Sequence, residues 1–139
     1  YWNGKARGVI TGLTRGVTKA HITRATLESM AYSARDLADV MEKESGVKLT
    51  ELRCDGGASA NDFLMGFQAS VLGANVNRPK EKESTALGAV YLCGLGTGYI
   101  TKDDIKRLRV CDKTFTPDGD KEKYEKLYDG WKEAVGRSM

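Results

Sequence analysis

The residues best suited to chemistry form one short run, residues 55–61 (Asp-Gly-Gly-Ala-Ser-Ala-Asn), where a predicted strand is followed by a predicted helix. The first backbone N–H groups of a helix lack partners within it, and the helix dipole adds partial positive charge, so this junction suits an anion or a nucleotide phosphate. Gly56 and Gly57 have no Cβ atom that would keep a ligand from the backbone. Asn61 could hydrogen-bond a base, ribose or phosphate through its amide.

The same run can also be explained as local structure without a ligand. Asp-Gly-Gly is an ordinary turn sequence, and residues 59–62 resemble a helix capping box. The run lacks G-x-G-x-x-G and G-x-x-x-x-G-K-[ST], which excludes a standard dinucleotide or P-loop site. The second glycine-rich stretch, residues 94–98, follows a helix, which predicts a helix-ending turn. On these residues alone, ligand binding and a plain turn both stay open.

The other chemically capable side chains are few and scattered. His21 is the single histidine and lies near a predicted helix start, so we expect a neutral ring that caps the backbone rather than a catalytic base. Cys54, Cys93 and Cys111 are odd in number and contain no C-x-x-C, which favours reduced, mostly buried thiols in a cytosolic protein over a zinc site. Glu28 is expected to form a structural hydrogen bond to a neighbouring strand.

The composition is that of a globular domain and excludes several classes of protein. The chain has 139 residues, of which 40% are hydrophobic and 29% charged, too apolar for a disordered chain. No apolar run approaches the ~20 residues that span a bilayer, so no membrane partner is expected. Residues 1–24 contain basic residues and no acidic residue, but no nucleic-acid-binding pattern accompanies them, and no nucleic-acid partner is expected.

Strand and helix patterns alternate through the first hundred residues. The predicted elements are an extended segment at 7–15, a helix at 18–45, a strand at 49–54, a helix that ends at Gly73, a strand at 75–79 and a helix from Ser84. The order β-α-β-α-β-α predicts an α/β fold with parallel strands and crossover helices. Small residues in the third helix, such as Gly88, suggest close packing against a sheet or another helix.

The pattern changes in the last forty residues. We predict a short helix at 103–108, an extended segment at 113–116 and a last helix at 120–138 with an aromatic stripe that includes Tyr124 and Tyr128. This helix is expected to dock by its aromatic face, and a partner-binding helix is the alternative. The sequence therefore predicts an α/β core over about 1–100 and a C-terminal helical tail over 101–139.

Several sequence blocks, in the same order, resemble the glycerol kinases, which are carbohydrate kinases with an actin-like (ribonuclease H-like) ATPase fold. The blocks are residues 6–16 (ARGVITGLTRG), 24–32 (RATLESMAY), 55–61 (DGGASAN), 85–92 (TALGAVYL) and 128–131 (YDGW). Together they are much more specific than any one block. The resemblance implies that the chain is the C-terminal portion of the second, nucleotide-binding domain. The absence of an initiator Met and of a signal peptide agrees with a piece of a longer protein.

The resemblance implies an enzyme that uses ATP and Mg²⁺ to convert glycerol to glycerol 3-phosphate. Another polyol or sugar kinase is one alternative, and a non-catalytic interaction module is another. Gly57 and Asn61 would be nucleotide contacts, with Gly56 beside them in the turn. The family's phosphate loops, metal-binding acid, Asp base and polyol contacts lie upstream of the matched stretch, so no residue here is assigned to catalysis or to a metal.

The same resemblance bears on location and assembly. A cytoplasmic enzyme is expected, with a nucleotide and a small polyol as its substrates. An incomplete sheet leaves an open edge, and open edges tend to pair with other chains. The chain is therefore expected to form a homo-oligomer.

Overall fold

The computed structural model describes residues 1, 3–81 and 83–139, and these residues form a three-stranded sheet with five α-helices. In chain order the elements are α1 (Lys19–Ser45), β1 (Glu51–Arg53), a 3₁₀ turn (Gly57–Ala60), α2 (Asp62–Leu72), β2 (Asn75–Pro79), α3 (Ser84–Gly96), α4 (Lys102–Leu108), β3 (Cys111–Phe115) and α5 (Lys121–Ser138). The predicted α/β class is confirmed. We refer to the 3₁₀ turn below as the 57–60 turn.

The strand order in the sheet is β1-β2-β3. β1 and β2 are parallel, with Leu52 opposite Val76, and α2 connects them. This is the predicted crossover, which parallel neighbours require because a tight hairpin cannot join them. β3 returns after α3 and α4 and pairs antiparallel to β2, with Phe115 also opposite Val76. β2 is thus the central strand, and its residues from Val76 to its end are buried.

The ends of α1 follow the local sequence. The backbone N–H of Thr18 donates to Nδ1 of His21 at 3.1 Å, so the imidazole accepts a hydrogen bond at the start of the helix. This confirms the capping role predicted for His21. At the other end, the N–H of Gly46 donates to the carbonyl of Glu42 at 2.9 Å. Both ends of this 27-residue helix therefore satisfy backbone groups that would otherwise lack partners.

The core lies where α1, α2 and α5 meet the sheet. Tyr32 of α1 makes an edge contact with Phe67 of α2, their ring centroids 5.6 Å apart, and stacks on Trp131 of α5 at 5.8 Å. Phe67 also meets Tyr124 of α5 edge-on at 5.5 Å. Tyr124 and Tyr128 are buried, which confirms that α5 docks by its aromatic face. Aromatic rings therefore join all three helices.

Residues 7–15, the first strand of the predicted alternation, form no strand. All of them are exposed, and their hydrogen bonds beyond the immediate neighbours run to the end of α5. The N–H of Arg7 donates to the carbonyl of Ser138 at 3.4 Å, and Arg137 donates to Oγ1 of Thr11 at 2.8 Å. A strand needs a neighbour with which to exchange ladder hydrogen bonds. None of the described strands lies beside this segment, so its β-forming residues stay irregular.

Three further expectations about side chains are wrong. Glu28 bonds within its own helix rather than to a strand, accepting from Nε of Arg24 at 2.6 Å and from the hydroxyl of Tyr32 at 3.3 Å. The cysteines are free, as expected, but they are not mostly buried, because Cys93 and Cys111 are exposed and Cys54 is half-buried. The small residues in the first half of α3 do not pack closely, since α3 has no buried residue and a Cβ on Gly88 would meet open space; only near the end of the helix does a glycine, Gly94, lie close to another side chain, that of Ile100.

Across the part of the chain that the structure describes, the helices lack the combination of length and apolar character needed to cross a membrane.

Candidate functional site

The predicted site begins just beyond β1, where the backbone turns sharply at Gly56. Gly56 has φ 77° and ψ 176°, a region that essentially only glycine occupies. Its carbonyl accepts from the N–H of Ser59 at 3.1 Å and from the Ser59 hydroxyl at 2.7 Å, which closes the 57–60 turn. Ser59 is 1% exposed. The glycine and the buried serine therefore fix the shape of the turn.

Gly57 and Asn61 lie at the exposed side of this turn. A Cβ placed on Gly57 would meet no heavy atom within 4 Å, so its backbone borders open space. Asn61 is the N-cap of α2, and its Oδ1 accepts from the N–H of Leu64 at 3.1 Å. Its Nδ2 has no hydrogen-bond partner among the described residues. The amide thus caps the helix with one atom and leaves the other free.

The structure brings Gly57 and Asn61 to one shallow cavity of about 490 Å³, with Gly56 in the turn just before it. The cavity wall also includes apolar side chains: Leu27 and Met30 of α1, and Leu64 of α2. Apolar walls with a few placed polar groups are typical of sites for small organic ligands. The arrangement suits a flat ring packed on apolar side chains and hydrogen-bonded by an amide.

An ionic cluster that the sequence analysis missed lies beneath the turn. Arg78, in the buried strand β2, donates from Nη1 to the carbonyl of Ser59 at 2.9 Å and to Oδ1 of Asp62 at 2.8 Å. Its Nε donates to Oδ2 of Asp112 at 2.8 Å. Lys113 donates to the other oxygen of Asp62 at 2.6 Å. The hydrogen bonds from Lys113 and Arg78 lower the pKa of Asp62.

One signal in the sequence could have found this cluster. Arg78 lies inside the run Asn-Val-Asn-Arg-Pro, which is predicted to be a strand, and arginine is almost never buried unless it is paired. An arginine in a central strand therefore requires acidic or carbonyl partners. The sequence does not say which residues those are, because Asp62 and Asp112 lie on different elements.

The described residues contain no group of three or more His, Cys, Asp or Glu side chains placed to hold a metal ion. The thiol of Cys54 lies directly after β1, three residues before Gly57. Burial, and secondarily the charge of Asp55, raise the pKa of that thiol.

The fold defines the class of protein as an actin-like ATPase domain. The chain is similar to the solved glycerol kinase of Plasmodium falciparum with ADP, with a TM-score of 0.87 and 34% identity over 99% of this chain and 28% of that one. It is also similar to a ligand-bound xylulose kinase from Lactobacillus acidophilus, with a TM-score of 0.82 and 27% identity over 95% of this chain and 27% of that one.

The chain belongs to the FGGY family of carbohydrate kinases, whose C-terminal domain matches residues 1–97. A glycerol kinase from Thermoanaerobacter sp. (strain X514) is 55% identical over 140 aligned residues, which cover 100% of this chain. The chain spans 28% of the length of that relative and corresponds to its C-terminal part. The resemblance inferred from the sequence blocks is confirmed.

Proposed function

We propose that the chain supplies the adenosine-binding part of an ATP-dependent glycerol kinase, which transfers a phosphoryl group from ATP to glycerol. The observation that carries the proposal is the cavity beyond β1, where Gly57 presents bare backbone beside the free Nδ2 of Asn61. The glycerol kinase of Plasmodium falciparum was solved with ADP, which supports a nucleotide as the ligand.

Each of the three residues has a distinct role in this proposal. Gly56 gives the turn its direction, and Gly57 lets the nucleotide reach the backbone because it has no Cβ atom. Nδ2 of Asn61 donates to an acceptor on the base or ribose while Oδ1 remains on the N–H of Leu64. Met30, half exposed in the cavity wall, packs against the flat face of the base.

The test uses an active enzyme in which this chain replaces the C-terminal part of the Thermoanaerobacter glycerol kinase, which is 55% identical to it. We call this enzyme the hybrid kinase. Gly57→Val should raise the KM for ATP about tenfold or more with the KM for glycerol unchanged, because its side chain fills the space of the nucleotide. Gly136→Val is the matched control, since that glycine also borders open space but lies far along the chain in α5. An unchanged KM for ATP in Gly57→Val would overturn the proposed site.

A second variant separates binding from helix capping. Asn61→Asp keeps an oxygen that accepts from the N–H of Leu64, and Asp caps as well as Asn does. It loses the Nδ2 donor and adds a negative charge. We therefore expect weaker ADP binding in the hybrid kinase at unchanged thermal stability. Equal ADP affinity would mean that the amide contributes only the cap.

The remaining catalytic groups belong, in this proposal, to the part of the relatives that the chain does not span. These are the phosphate loops, the Mg²⁺ ligands, the Asp base and the glycerol contacts. The 139 residues alone should therefore show no glycerol-dependent release of ADP from ATP. Release by the pure chain would show that the base lies within it.

A different sugar or polyol substrate is the second candidate function. It is supported by the likeness to the xylulose kinase of Lactobacillus acidophilus, at a TM-score of 0.82. The protein expressed from the complete coding sequence should be assayed with glycerol and with a panel of pentuloses and other polyols. A larger kcat/KM for another substrate would replace glycerol in the proposal. An initiator Met directly before Tyr1 would instead favour a stand-alone interaction module.

Assembly, location and internal boundaries are also proposals. We propose a cytoplasmic homo-oligomer that binds neither nucleic acid nor membrane, with an α/β core over about 1–100 and a tail over 101–139. The free edge of β1 supports self-association, since β1 pairs with β2 alone among the described strands. A strictly monomeric mass in light scattering at high concentration would contradict that.

A further inference from the structure

We infer that Arg78 is a positioning residue for the nucleotide cavity: it ties the 57–60 turn to the sheet and so sets nucleotide affinity without contacting the nucleotide. The inference rests on the proposed function, because it explains how the cavity keeps its shape. The observations behind it differ from those behind the proposed function, because they are the contacts of one buried side chain, Arg78.

The guanidinium group holds the turn at two points. Nη1 donates to the carbonyl of Ser59 at 2.9 Å and to Oδ1 of Asp62 at 2.8 Å. These residues flank Ala60 and Asn61, so the end of the turn and the N-cap of α2 lie between two contacts of the same nitrogen. Loss of both contacts would release the two residues that flank Asn61, and with them the backbone that positions its free amide.

The rest of the side chain is anchored to the sheet. Arg78 is 8% exposed and lies in β2, the central strand. Its Nε donates to Oδ2 of Asp112 in β3 at 2.8 Å, and its Cζ lies 5.3 Å from the centre of the Phe115 ring. An arginine fork held by partners on the 57–60 turn, α2 and β3 loses little further freedom when it forms its hydrogen bonds. The guanidinium group of Arg78 therefore forms a rigid connection between β2 and the 57–60 turn.

Apart from the burial of Ser59, the turn's own hydrogen bonds do not attach it to the sheet. Within the turn, the N–H of Ser59 bonds to Gly56 and the N–H of Asn61 bonds to the carbonyl of Ala58, both local contacts. The side chains of Ala58 and Ala60 are exposed and small. The hydrogen bond from Arg78 to the Ser59 carbonyl thus connects the turn to the sheet. Without it, a buried acceptor would lose its partner, which favours a rearranged turn.

The test compares Arg78→Met with Arg78→Lys in the hybrid kinase, and Arg53→Met serves as the matched control. Arg53 lies on the neighbouring strand β1, its side chain is 66% exposed, and it pairs with Glu51 within that strand. We measure the Kd for ADP by titration calorimetry, the KM for ATP, the KM for glycerol, kcat and Tm.

Arg78→Met should raise the Kd for ADP and the KM for ATP together by about tenfold, with kcat at saturating ATP and the KM for glycerol within about twofold. Arg78→Lys should recover part of the affinity, because an ammonium group can keep the charge but not the full fork. Arg53→Met should change none of these values. A purely structural role predicts a lower Tm with unchanged ADP affinity, and that result would overturn the inference.

Two additions keep the test decisive. If Arg78→Met does not fold, Asp112→Asn weakens the anchor of Arg78 from an exposed position and should raise the Kd for ADP about two- to fourfold. Unchanged affinity in that variant would overturn the inference.

Gly57→Val, measured in parallel, separates the two proposals. If Gly57→Val raises the KM for ATP and Arg78→Met does not, the inference about Arg78 is wrong and the proposed nucleotide site stands. If Gly57→Val leaves the KM for ATP unchanged, the proposed nucleotide site itself is wrong.

Discussion

Gly56 and Gly57 are neighbours with different constraints, and replacing each with alanine separates backbone strain from ligand contact. Gly56 has φ 77° and ψ 176°, whereas Gly57 does not have a positive φ. A Cβ at either position meets no heavy atom within 4 Å, so neither substitution introduces a steric clash. Any difference in stability between the two variants therefore reports on the backbone conformation.

The expected magnitudes follow from that difference. Alanine in a sparsely populated backbone region costs about 1–3 kcal/mol. Replacing glycine with alanine also stabilises by about 0.4–1 kcal/mol, because the unfolded chain has fewer conformations to lose. Gly56→Ala should therefore lower the free energy of unfolding by about 1–2 kcal/mol. Gly57→Ala should raise it by about 0.4–1 kcal/mol, since only the second effect applies.

Thermal unfolding of the 139-residue chain, followed by circular dichroism, measures both values. An unfolding entropy of about 2.1 cal/mol/K per residue gives about 3.4 °C in Tm for each kcal/mol in a chain of this length. Gly56→Ala should thus lower Tm by about 3–7 °C, and Gly57→Ala should raise it by about 1–3 °C. Equal shifts in the two variants, or a Gly56→Ala chain as stable as the parent, would refute the reasoning.

Three further predictions concern the core, the cap and the thiols. Phe67→Ala should lower the free energy of unfolding, measured in urea, by about 3–5 kcal/mol, because the ring is 6% exposed. Phe63→Ala should lower it much less, because that side chain is 41% exposed. Equal losses in the two variants would contradict the described core. Asn61→Ala should lower the free energy of unfolding by about 1 kcal/mol through loss of the α2 cap, and Asn61→Asp should not. The raised pKa of Cys54 leaves less thiolate at pH 8, so brief alkylation read by mass spectrometry should label the exposed Cys93 and Cys111 before Cys54. Cys54 should gain reactivity as the pH rises to 9.

Local patterns predicted the elements that depend on local signals. The helix at 18–45 and the last helix have strong apolar periodicity and capping residues, and both form at those positions, α1 with Thr18 as its N-cap. The strand-helix-strand order around residues 55–61 also predicted the parallel pair β1 and β2. In each case the information lies within one continuous stretch of the chain.

Two elements show where local patterns are insufficient. Residues 7–15 have β-forming side chains, but a strand depends on a neighbour that no local pattern specifies, and none is present among the described residues. In α3 the apolar and small residues predicted close packing, yet the helix has no buried residue. Both predictions needed long-range contacts, which composition and periodicity do not contain.

The residues of the candidate site also differ in whether a local pattern predicts them. Gly56, Gly57 and Asn61 were found from a junction that seven consecutive residues define. Arg78 was missed because its partners come from separate elements: Ser59 and Asp62 lie 19 and 16 residues away, and Asp112 lies 34 residues away. A buried arginine was the available signal, and it indicates that partners exist without identifying them.

The two interpretations of the 55–61 run, a ligand site and a plain capped turn, prove to be compatible rather than exclusive. Oδ1 of Asn61 caps α2 while Nδ2 remains free, so one side chain satisfies the helix and still offers a donor to the cavity. Gly56 closes the turn, and that closure leaves the backbone of Gly57 beside open space. Because the local structure creates the accessible surface, a variant that breaks the cap or the turn would also damage the proposed site. Only substitutions that keep the local hydrogen bonds, such as Asn61→Asp, can test binding by itself.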